Sequence, residues 1–147
     1  MAKVPSGPPP GCASTTFVHR VAFYETDAMG VVHHSNYVRY MELARVRWMD
    51  EHHHPYTDYL AGDLNFAVTR VEVDYRLPAR FDEEVAITVW AEWVRGASLR
   101  MAYELTSSDG LLVTAATEHA TVDGTGRVRR IPKEDRAALF ALTPESS

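Results

Sequence analysis

Apolar side chains follow two different periods along this chain, and each period predicts one kind of secondary structure. Within residues 36 to 52 they recur every three or four positions: Tyr37, Met41, Ala44 and Trp48. This spacing places them on one face of an α-helix. Ser35 or Asn36 is suited to cap the helix, and the run from His52 to Pro55 ends it.

A period of two, typical of β-strands, dominates the chain outside this helix. We predict a first strand from Thr16 to about Thr26 and four later ones, over residues 65–78, 84–94, 99–105 and 111–123. The third of these five should turn one row of side chains to the core: Val85, Ile87, Val89, Ala91 and Trp93. Residues 107–110 are predicted to form a hairpin turn between the last two strands.

Within residues 65–78 the apolar phase changes. Phe66 and Val68 alternate in one phase, and the row that begins at Val71 alternates in the other. One extra residue in a strand shifts the phase in this way, so we predict a β-bulge near Thr69 or Arg70.

One long helix followed by a run of antiparallel strands is typical of an α+β fold. The helix also carries apolar side chains outside its main stripe, at Val38, Leu43 and Val46. A helix that is apolar on most sides is usually surrounded, so we predict a sheet wrapped around it. Residues 56–62 form a short irregular or helical piece, and a closing helix begins at Pro132.

The length of 147 residues is enough for a single domain with one core. Residues 1–14 contain four of the eight prolines and are predicted to be a mobile leader. We assign the domain to residues 15–142 and a loose tail to residues 143–147.

The formal charge of −5 argues against a nonspecific nucleic-acid binder, which needs clustered cations. Thirteen of the fifteen cations are arginine, which suits planar contacts to the phosphates of a small ligand. Cys12 is the only cysteine, so an internal disulfide and a cysteine zinc site are excluded, and a reducing cytoplasm fits best. The chain has no apolar stretch of the roughly 20 residues that span a bilayer, so we expect no membrane insertion.

Asp27 lies on the bend between the first strand and the long helix. A carboxylate there is often a turn or cap residue that accepts backbone N–H groups. It could instead act as a general base or nucleophile, because Gly30 permits a tight turn and the helix start offers free N–H groups for an oxyanion. The residues alone leave both interpretations open.

Other candidate chemistry is weaker. The adjacent His33 and His34 cannot easily direct both rings to one point, and Glu51 with the histidines at 52–54 suggests either a metal site or favourable cations at a helix C-terminus. The chain contains neither a glycine-rich phosphate loop nor a Gly-x-Ser-x-Gly elbow. An enzyme of this sequence would therefore use carboxylates, for hydrolysis, proton transfer or hydration.

The string YETDAMGVVHHSNYVRYMELAR, residues 24–45, resembles the signature of hotdog-fold acyl-CoA thioesterases of the 4-hydroxybenzoyl-CoA thioesterase type, especially the branch associated with the Tol-Pal cluster. The resemblance extends from Thr16 to Leu142. It implies an antiparallel sheet of five or six strands around one central helix. It also implies a dimer whose sheets join, with active sites at the subunit interface, and often a homotetramer of two such dimers.

Residue roles also follow from the resemblance. Asp27 matches the catalytic base or nucleophile, the backbone N–H of His34 matches the donor that polarises the thioester carbonyl, and the side chains of His34 and Tyr24 match supporting residues. Met29 and His33 depart from the usual small and aromatic residues and affect the expected acyl preference. No metal or organic cofactor is implied, because coenzyme A is part of the substrate.

Further substrate contacts are predicted around this core. Gly30 and Tyr37 belong to the shared motif. We expect Phe66, Val68 and Arg70 to face the helix and line the acyl pocket, and Ser98 to lie near the pantetheine path. The candidates for the nucleotide phosphates are Arg95, Arg129 and Arg130.

These observations predict a cytoplasmic acyl-CoA thioesterase that releases a free acid and CoA. One alternative is a pathway-specific aromatic acyl-CoA hydrolase, such as a dihydroxynaphthoyl-CoA thioesterase, or a hotdog dehydratase, although the Thr26-Asp27 pattern does not match dehydratases. Another is a module that binds acyl-CoA without turnover.

Overall fold

The computed structural model describes residues 7–146, and its elements follow one another in the predicted order. The five strands are β1 (Ser14–Arg20), β2 (Asn65–Tyr75), β3 (Glu84–Val94), β4 (Ser98–Ser107) and β5 (Gly110–Val122). The helices are α1 (Asn36–His52), α2 (Tyr56–Ala61) and α3 (Lys133–Ala141), and short 3-10 turns occupy Phe23–Glu25 and Pro144–Ser146. The predicted bounds of α1 agree with the structure.

The strands form one antiparallel sheet in the order β1-β3-β4-β5-β2, so β1 and β2 are its edges. Helix α1 lies across the inner face of the sheet and packs mainly against β1 and β3. The predicted α+β architecture with a five-stranded antiparallel sheet is confirmed. No helix among residues 7–146 has the length and apolar character needed to cross a lipid bilayer.

The core lies between α1 and the inner face of the sheet. Met41, Ala44 and Trp48 of α1 are fully buried and belong to one apolar cluster with alternate residues of β4: Leu99, Met101, Tyr103 and Leu105. Burial of one large apolar side chain contributes about 2 kcal/mol, so this cluster is a main source of the stability of the domain. Both rows follow the predicted periods.

The bulge in β2 lies where the phase change placed it, between Val68 and Arg70. Val68 is opposite His119 on the inner face, whereas Arg70 is opposite Glu118 on the outer face. The expectation that Arg70 faces the helix is therefore wrong. Its guanidinium instead contacts Glu72 at 2.5 Å on the side of the sheet away from α1.

A second bulge, which the sequence pattern did not predict, interrupts β3 between Ala91 and Trp93. It moves Val94 into the core, and Trp93 leaves it. Trp93 packs against the guanidinium of Arg95 instead, 4.0 Å from the ring centroid. The prediction that Trp93 belongs to the core row is wrong, because this extra residue reverses the alternation beyond it.

The first strand is shorter than predicted and ends at Arg20, not near Thr26. Val21 still pairs with the loop before β3, and then Glu25 closes a turn on Ala22 through its backbone N–H at 3.0 Å. The Glu25 carboxylate also accepts the Ala22 N–H at 2.7 Å. These local bonds replace the strand that the β-branched and aromatic composition favours.

The described parts of the leader and tail contact the domain. The Trp48 indole donates to the carbonyl of Ala13, and the Gly7 N–H donates to Glu104 on the outer face at 3.1 Å. Thr143 is fully buried, and the 3-10 turn after it packs against β3. Residues 1–6 and Ser147, which belong to the predicted leader and tail, lie outside the described residues.

Helix α1 is not surrounded within one chain, in contrast to the prediction. Val38, Leu43 and Val46 are 37%, 46% and 39% exposed. The inner face of β2 is also open, because α1 lies over the other half of the sheet. Its apolar side chains Val68, Val71 and Tyr75 remain between 42% and 52% exposed.

Candidate active site

Asp27 lies in a tight turn between the Phe23–Glu25 turn and α1. Its N–H donates to the carbonyl of Val31, its own carbonyl accepts the N–H of Gly30, and both distances are 2.9 Å. Gly30 has a φ of 78°, a left-handed conformation that glycine adopts without strain. The turn therefore explains why a glycine follows the carboxylate at this spacing.

The Asp27 carboxylate has two different oxygens. Oδ1 accepts the backbone N–H of Met29 at 2.8 Å, which is the turn role that the sequence allowed. Oδ2 has no hydrogen-bond partner within the described chain. The side chain is half-buried, so the turn fixes one oxygen and leaves the other for a ligand.

The start of α1 lies beside this turn. The His33 carbonyl accepts the N–H of Asn36, and the His33 ring bonds the Ser35 hydroxyl at 2.8 Å. Ser35 occupies the N-cap position, as predicted, but its side chain does not cap the helix. The N–H of His34 has no acceptor within residues 7–146, so it remains a donor at the positive end of the helix dipole.

The buried side chain of Glu25 holds the loop that contains Asp27. The sequence analysis did not identify this residue. Its side chain is only 8% exposed, and it accepts hydrogen bonds from the Ala22 N–H and from His19 at 2.9 Å. Burial opposes ionisation of Glu25, but the bonds from His19 and Ala22 outweigh it and lower the pKa. In a capping box, a glutamate three residues after the N-cap accepts the backbone N–H of the N-cap residue, and Glu25 stands in this relation to Ala22. This spacing is the one sequence signal that could have indicated the role of Glu25.

Two contacts connect Glu25 with the first turn of α1. The carbonyl of Glu25 accepts the N–H of His33 at 2.9 Å and the side-chain amide of Asn36 at 2.8 Å. Tyr40 lies next to the carboxylate, and burial together with that negative charge raises its pKa. Its hydroxyl is near Glu25 without meeting hydrogen-bond geometry. The loop is therefore fixed to the helix that supplies the free N–H.

Two tyrosines, Tyr37 and Tyr75, hydrogen bond to backbone groups near the Asp27 turn. The Tyr37 hydroxyl accepts the N–H of Ala79 at 3.2 Å, and the Tyr75 hydroxyl donates to the carbonyl of His34 at 3.0 Å. Burial, and in smaller part the nearby carboxylates of Glu83 and Asp27, raise the pKa of Tyr37. Tyr37, a residue of the shared motif, therefore lies near enough to Asp27 to interact with its charge.

The remaining residues of the motif surround Asp27 on the surface. Tyr24 is 83% exposed and Met29 79% exposed, and the side chains of His33 and His34 are also exposed. The two histidine rings lie next to each other, with centroids 4.2 Å apart. The structure thus brings Asp27, Gly30, His34 and Tyr37 together and leaves Tyr24 and Met29 free to contact another molecule.

The other predicted contacts lie elsewhere in the chain. Phe66 and Val68 line a cavity along the second half of α1. Ser98 is at the opposite end of the sheet from the Asp27 turn, on the outer side of β4. Within one chain, these residues do not form one site with Asp27.

Cationic side chains gather around Gly96, in the turn between β3 and β4. The group consists of Arg95, Arg130, Lys133 and Arg136. The last two were not predicted. Arg129 is different, because its guanidinium is paired with Asp123 at 2.8 Å. Hydrogen bonds from Thr125 and nearby backbone groups, with the charge of Arg129, lower the pKa of Asp123 to about 2.

The histidines after α1 form a separate cluster. Ligand atoms of His53, His54 and Asp135 all lie within 4.8 Å of one another, and His54 contacts Asp135 at 3.4 Å. His52 instead bonds the carbonyl of Ser14 at 2.9 Å. The cluster joins the end of α1 to the start of α3 and is distant in sequence from the Asp27 turn.

The chain is similar to proteins of a known family. The family model described as the thioesterase-like superfamily matches residues 21–139. The acyl-CoA thioester hydrolase YbgC of Escherichia coli is 33% identical over 97 residues, which cover 66% of this chain and 72% of that protein.

Two crystal structures extend the similarity to the fold. The hypothetical protein TT1821 from Thermus thermophilus has a TM-score of 0.83 at 32% identity, covering 88% of this chain and 98% of the other. The DHNA-CoA thioesterase from Staphylococcus aureus has a TM-score of 0.83 at 25% identity, covering 91% and 95%. The predicted family is confirmed: this chain belongs to the thioesterase-like superfamily and has its hotdog fold.

Proposed function

We propose that this protein is an acyl-CoA thioesterase in which Asp27 acts on the thioester carbonyl. The observation that carries the proposal is that, among residues 7–146, one oxygen of the half-buried Asp27 side chain and the N–H of His34 both have no hydrogen-bond partner, and the loop that holds Asp27 is bonded to the start of α1. One group can drive attack on the carbonyl carbon, and the other can stabilise the oxyanion that forms. The match to YbgC supports acyl-CoA as the substrate class.

In the reaction, Asp27 removes a proton from water, and the hydroxide forms a bond to the thioester carbon. The carbonyl oxygen becomes an oxyanion that accepts the N–H of His34. The C–S bond then breaks, CoA leaves as a thiolate and the acid is released. Direct attack by the Asp27 carboxylate, followed by hydrolysis of the anhydride, uses the same two groups. Tyr24 and the His34 ring are exposed beside the carboxylate, where they would contact the substrate.

The open apolar face supports a homodimer. Val68, Val71 and Tyr75 are exposed on the inner face of β2, which is an edge strand of the sheet. Val38, Leu43 and Val46 of α1 are exposed as well. A long apolar edge strand needs a partner to avoid aggregation. A second copy related by a two-fold axis would cover both surfaces, and two such dimers would give the homotetramer that the family resemblance implies.

The CoA phosphates would bind the cationic group around Gly96. Arg95 and Arg130 there have unpaired guanidinium donors among the described residues, and Lys133 and Arg136 add charge. Arg129 is a weaker candidate, because Asp123 already neutralises it. Ser98 begins β4 at the same turn, which fits the pantetheine path. The lone cysteine fits the reducing cytoplasm, where acyl-CoA would be met.

Hydrolysis of an aromatic acyl-CoA is the second candidate within the same chemistry. The structural match to the S. aureus DHNA-CoA thioesterase favours it. A module that binds acyl-CoA without turnover would use the same surface and differ only in releasing no thiol.

The test is thiol release from short, long and aromatic acyl-CoA thioesters by the wild type and by Asp27→Asn. Asn retains the acceptor for the Met29 N–H, so the turn should persist while kcat falls by about 100-fold or more. Asp109→Asn, an exposed aspartate in the β4–β5 hairpin, is the matched control and should keep full activity. Undiminished hydrolysis by Asp27→Asn would contradict the assigned role. Acyl-CoA binding without any turnover by the wild type would favour the binding module.

A further inference from the structure

The residues that the sequence groups at the end of α1 do not act as one set in the structure. Nε2 of His52 donates to the carbonyl of Ser14 at 2.9 Å, and the Glu51 carboxylate accepts the Thr15 hydroxyl at 2.9 Å. Both side chains are therefore occupied by contacts to β1. Of the four residues in the sequence pattern, only the last two histidines remain as candidates for a metal ion.

A carboxylate from a distant segment lies beside these two histidines. Asp135 is in the first turn of α3, and one ligand atom from each of His53, His54 and Asp135 lies within 4.8 Å of the other two. Within residues 7–146, no other group of three histidine, cysteine or carboxylate side chains meets this distance. The ends of two helices thus supply a shared group of two imidazoles and one carboxylate.

One distance in this group fits two ligands of an ion better than a direct hydrogen bond. Nε2 of His54 is 3.4 Å from Oδ1 of Asp135, whereas an ordinary N–H···O hydrogen bond is about 2.9 Å long. Two atoms bound tetrahedrally to Zn²⁺ at about 2.0 to 2.1 Å lie about 3.3 Å apart. The other separations exceed this value by at most about 1.5 Å, and the His54 side chain, which is 53% exposed, is free to rotate and close them.

Tyr59 holds the ring of His53 in place. Its hydroxyl is hydrogen-bonded to Nε2 of His53, and the two rings are stacked with centroids 5.8 Å apart. Tyr59 is buried, so this contact fixes the orientation of the imidazole. The other ring nitrogen, Nδ1, has no hydrogen-bond partner among residues 7–146. Histidines that bind metals usually engage the second ring nitrogen in a hydrogen bond that orients the ring.

The alternative interpretation of these histidines, as cations at a helix C-terminus, agrees less well with their arrangement. The rings of His53 and His54 lie side by side with centroids 4.5 Å apart. Protonation of both would place two like charges next to each other, and one carboxylate cannot neutralise both. A divalent cation would instead use both neutral imidazoles and the carboxylate at once. Imidazole ligands favour Zn²⁺ and neighbouring transition metals, whereas Mg²⁺ and Ca²⁺ favour oxygen ligands.

We propose that His53, His54 and Asp135 bind one divalent transition-metal ion, of which Zn²⁺ fits the ligands best, and that this ion joins the end of α1 to the start of α3. Three protein ligands leave the fourth tetrahedral position for water. The 17 residues of α1 span about 25 Å, which separates the ion from the Asp27 turn of the same chain. The ion therefore holds two helices together, and the inference does not rest on the proposed thioesterase function.

The first test is calorimetric titration of the tag-free protein with Zn²⁺. One ion should bind per chain, and Asp135→Asn should weaken binding about tenfold or more, because even the loss of a group that only orients a ligand has an effect of this size. Glu134→Gln removes an equal charge from the same turn of α3, outside the group, and should leave the affinity unchanged. Absence of Zn²⁺ binding by the wild type, or equal weakening in both variants, would overturn the proposal.

Two histidine variants locate the ion and serve if Asp135→Asn fails to fold. His54→Ala changes an exposed side chain and should also weaken Zn²⁺ binding about tenfold or more. His33→Ala removes one ring of the other adjacent pair, which has no third ligand at this distance among the described residues, and should keep the affinity. Weaker binding by His33→Ala with full binding by His54→Ala would place the ion at the start of α1 and contradict the proposal.

The second test asks whether the ion joins the two helices. Zn²⁺ should raise the Tm of the wild type and of Glu134→Gln relative to the chelator-treated proteins, since an ion that binds the folded state stabilises it. The Tm of Asp135→Asn and of His54→Ala should not rise. Hydrogen exchange of the α3 amides should also slow when Zn²⁺ is added to the wild type. Binding of Zn²⁺ without slower exchange in α3 would refute the proposed connection between the helices.

Discussion

The two ends of α1 differ in how they hold polar groups. At its start, Asp27, Gly30 and His34 lie within eight consecutive residues, and their reactive groups are partly open to solvent. Beyond its middle, Arg45 joins Tyr103, Thr117 and His119 from two strands in a buried chain of hydrogen bonds. The first end depends on a local turn, and the second depends on the packing of distant segments.

Because of this difference, substitutions at the two ends of α1 should have different effects on activity and on stability. An exposed N–H or carboxylate oxygen can remain unpaired at little cost, because water replaces the partner until a substrate binds. A buried polar group without a partner is costly, so changes in the buried chain that ends at His119 should lower stability. Changes in the Asp27 turn should alter activity far more than stability.

The largest expected effect on stability is a pH dependence at His119. Burial first, and then the charge of Arg45, lower its pKa from 6.5 to about 4 in the folded chain, so the unfolded state binds the proton first as the pH falls. The contribution is complete above pH 6.5 and is lost between pH 6.5 and 4, amounting to about 3 kcal/mol. Chemical unfolding at several pH values should show this extra loss in the wild type. The His119→Leu variant titrates the same other groups, so equal curves for the two proteins would refute the assignment.

The second-largest expected effect on stability tests whether a buried polar group, Glu25, holds the loop at the start of α1. Glu25→Gln removes the charge that His19 and the Ala22 N–H stabilise, and it should lower the free energy of unfolding by about 2 kcal/mol. Because the pKa of Glu25 is lowered, its contribution is present above the unfolded value of 4.5 and disappears as the pH falls through the folded value. Urea unfolding measures this change. Glu84→Gln, at an exposed glutamate, is the control. If both variants lowered the free energy of unfolding by the same small amount, Glu25 would not be needed to hold the loop.

The smallest effect on stability separates strain from function. Gly30 and Gly126 have φ values of 78° and 84°, and a Cβ at either would meet no atom within 4 Å. Alanine at each should therefore lower stability by about the same amount, roughly 1 kcal/mol of backbone strain. Only Gly30→Ala should also reduce thiol release, because it displaces the turn that holds Asp27. Equal activity of the two variants would show that the turn conformation is not needed for hydrolysis.

Local sequence patterns predicted much of the fold. The bounds of α1, the bulge after Val68 and the hairpin at residues 107–110 all agree with the structure, since each depends on neighbours in the chain. The family assignment from residues 24–45 is confirmed as well. The role of Asp27 in hydrolysis stays a prediction, and the structure adds the free oxygen and the nearby N–H on which it rests.

Two of the wrong predictions, those for Trp93 and Arg70, have a common physical cause. The second bulge in β3 reversed the burial of Trp93 and Val94, and no phase change near them was clear enough to predict it. Arg70 was placed on the helix side although a bulge was expected beside it. In both cases one inserted residue decides which face a side chain occupies, and only the pairing register with the next strand reveals where it lies.

The sequence by itself determined the helix, the strands, the family and the turn that exposes Asp27, because these depend on periodicity and on groups a few residues apart. Only the tertiary structure decided three features: Glu25 is a buried anchor, His119 is bonded through Thr117 to Tyr103 in the core, and four cations meet around Gly96, namely Arg95, Arg130, Lys133 and Arg136. Those contacts join segments from 6 to more than 50 residues apart. Antiparallel strand pairing and packing against α1 bring these segments together, and no single stretch of the chain encodes either one.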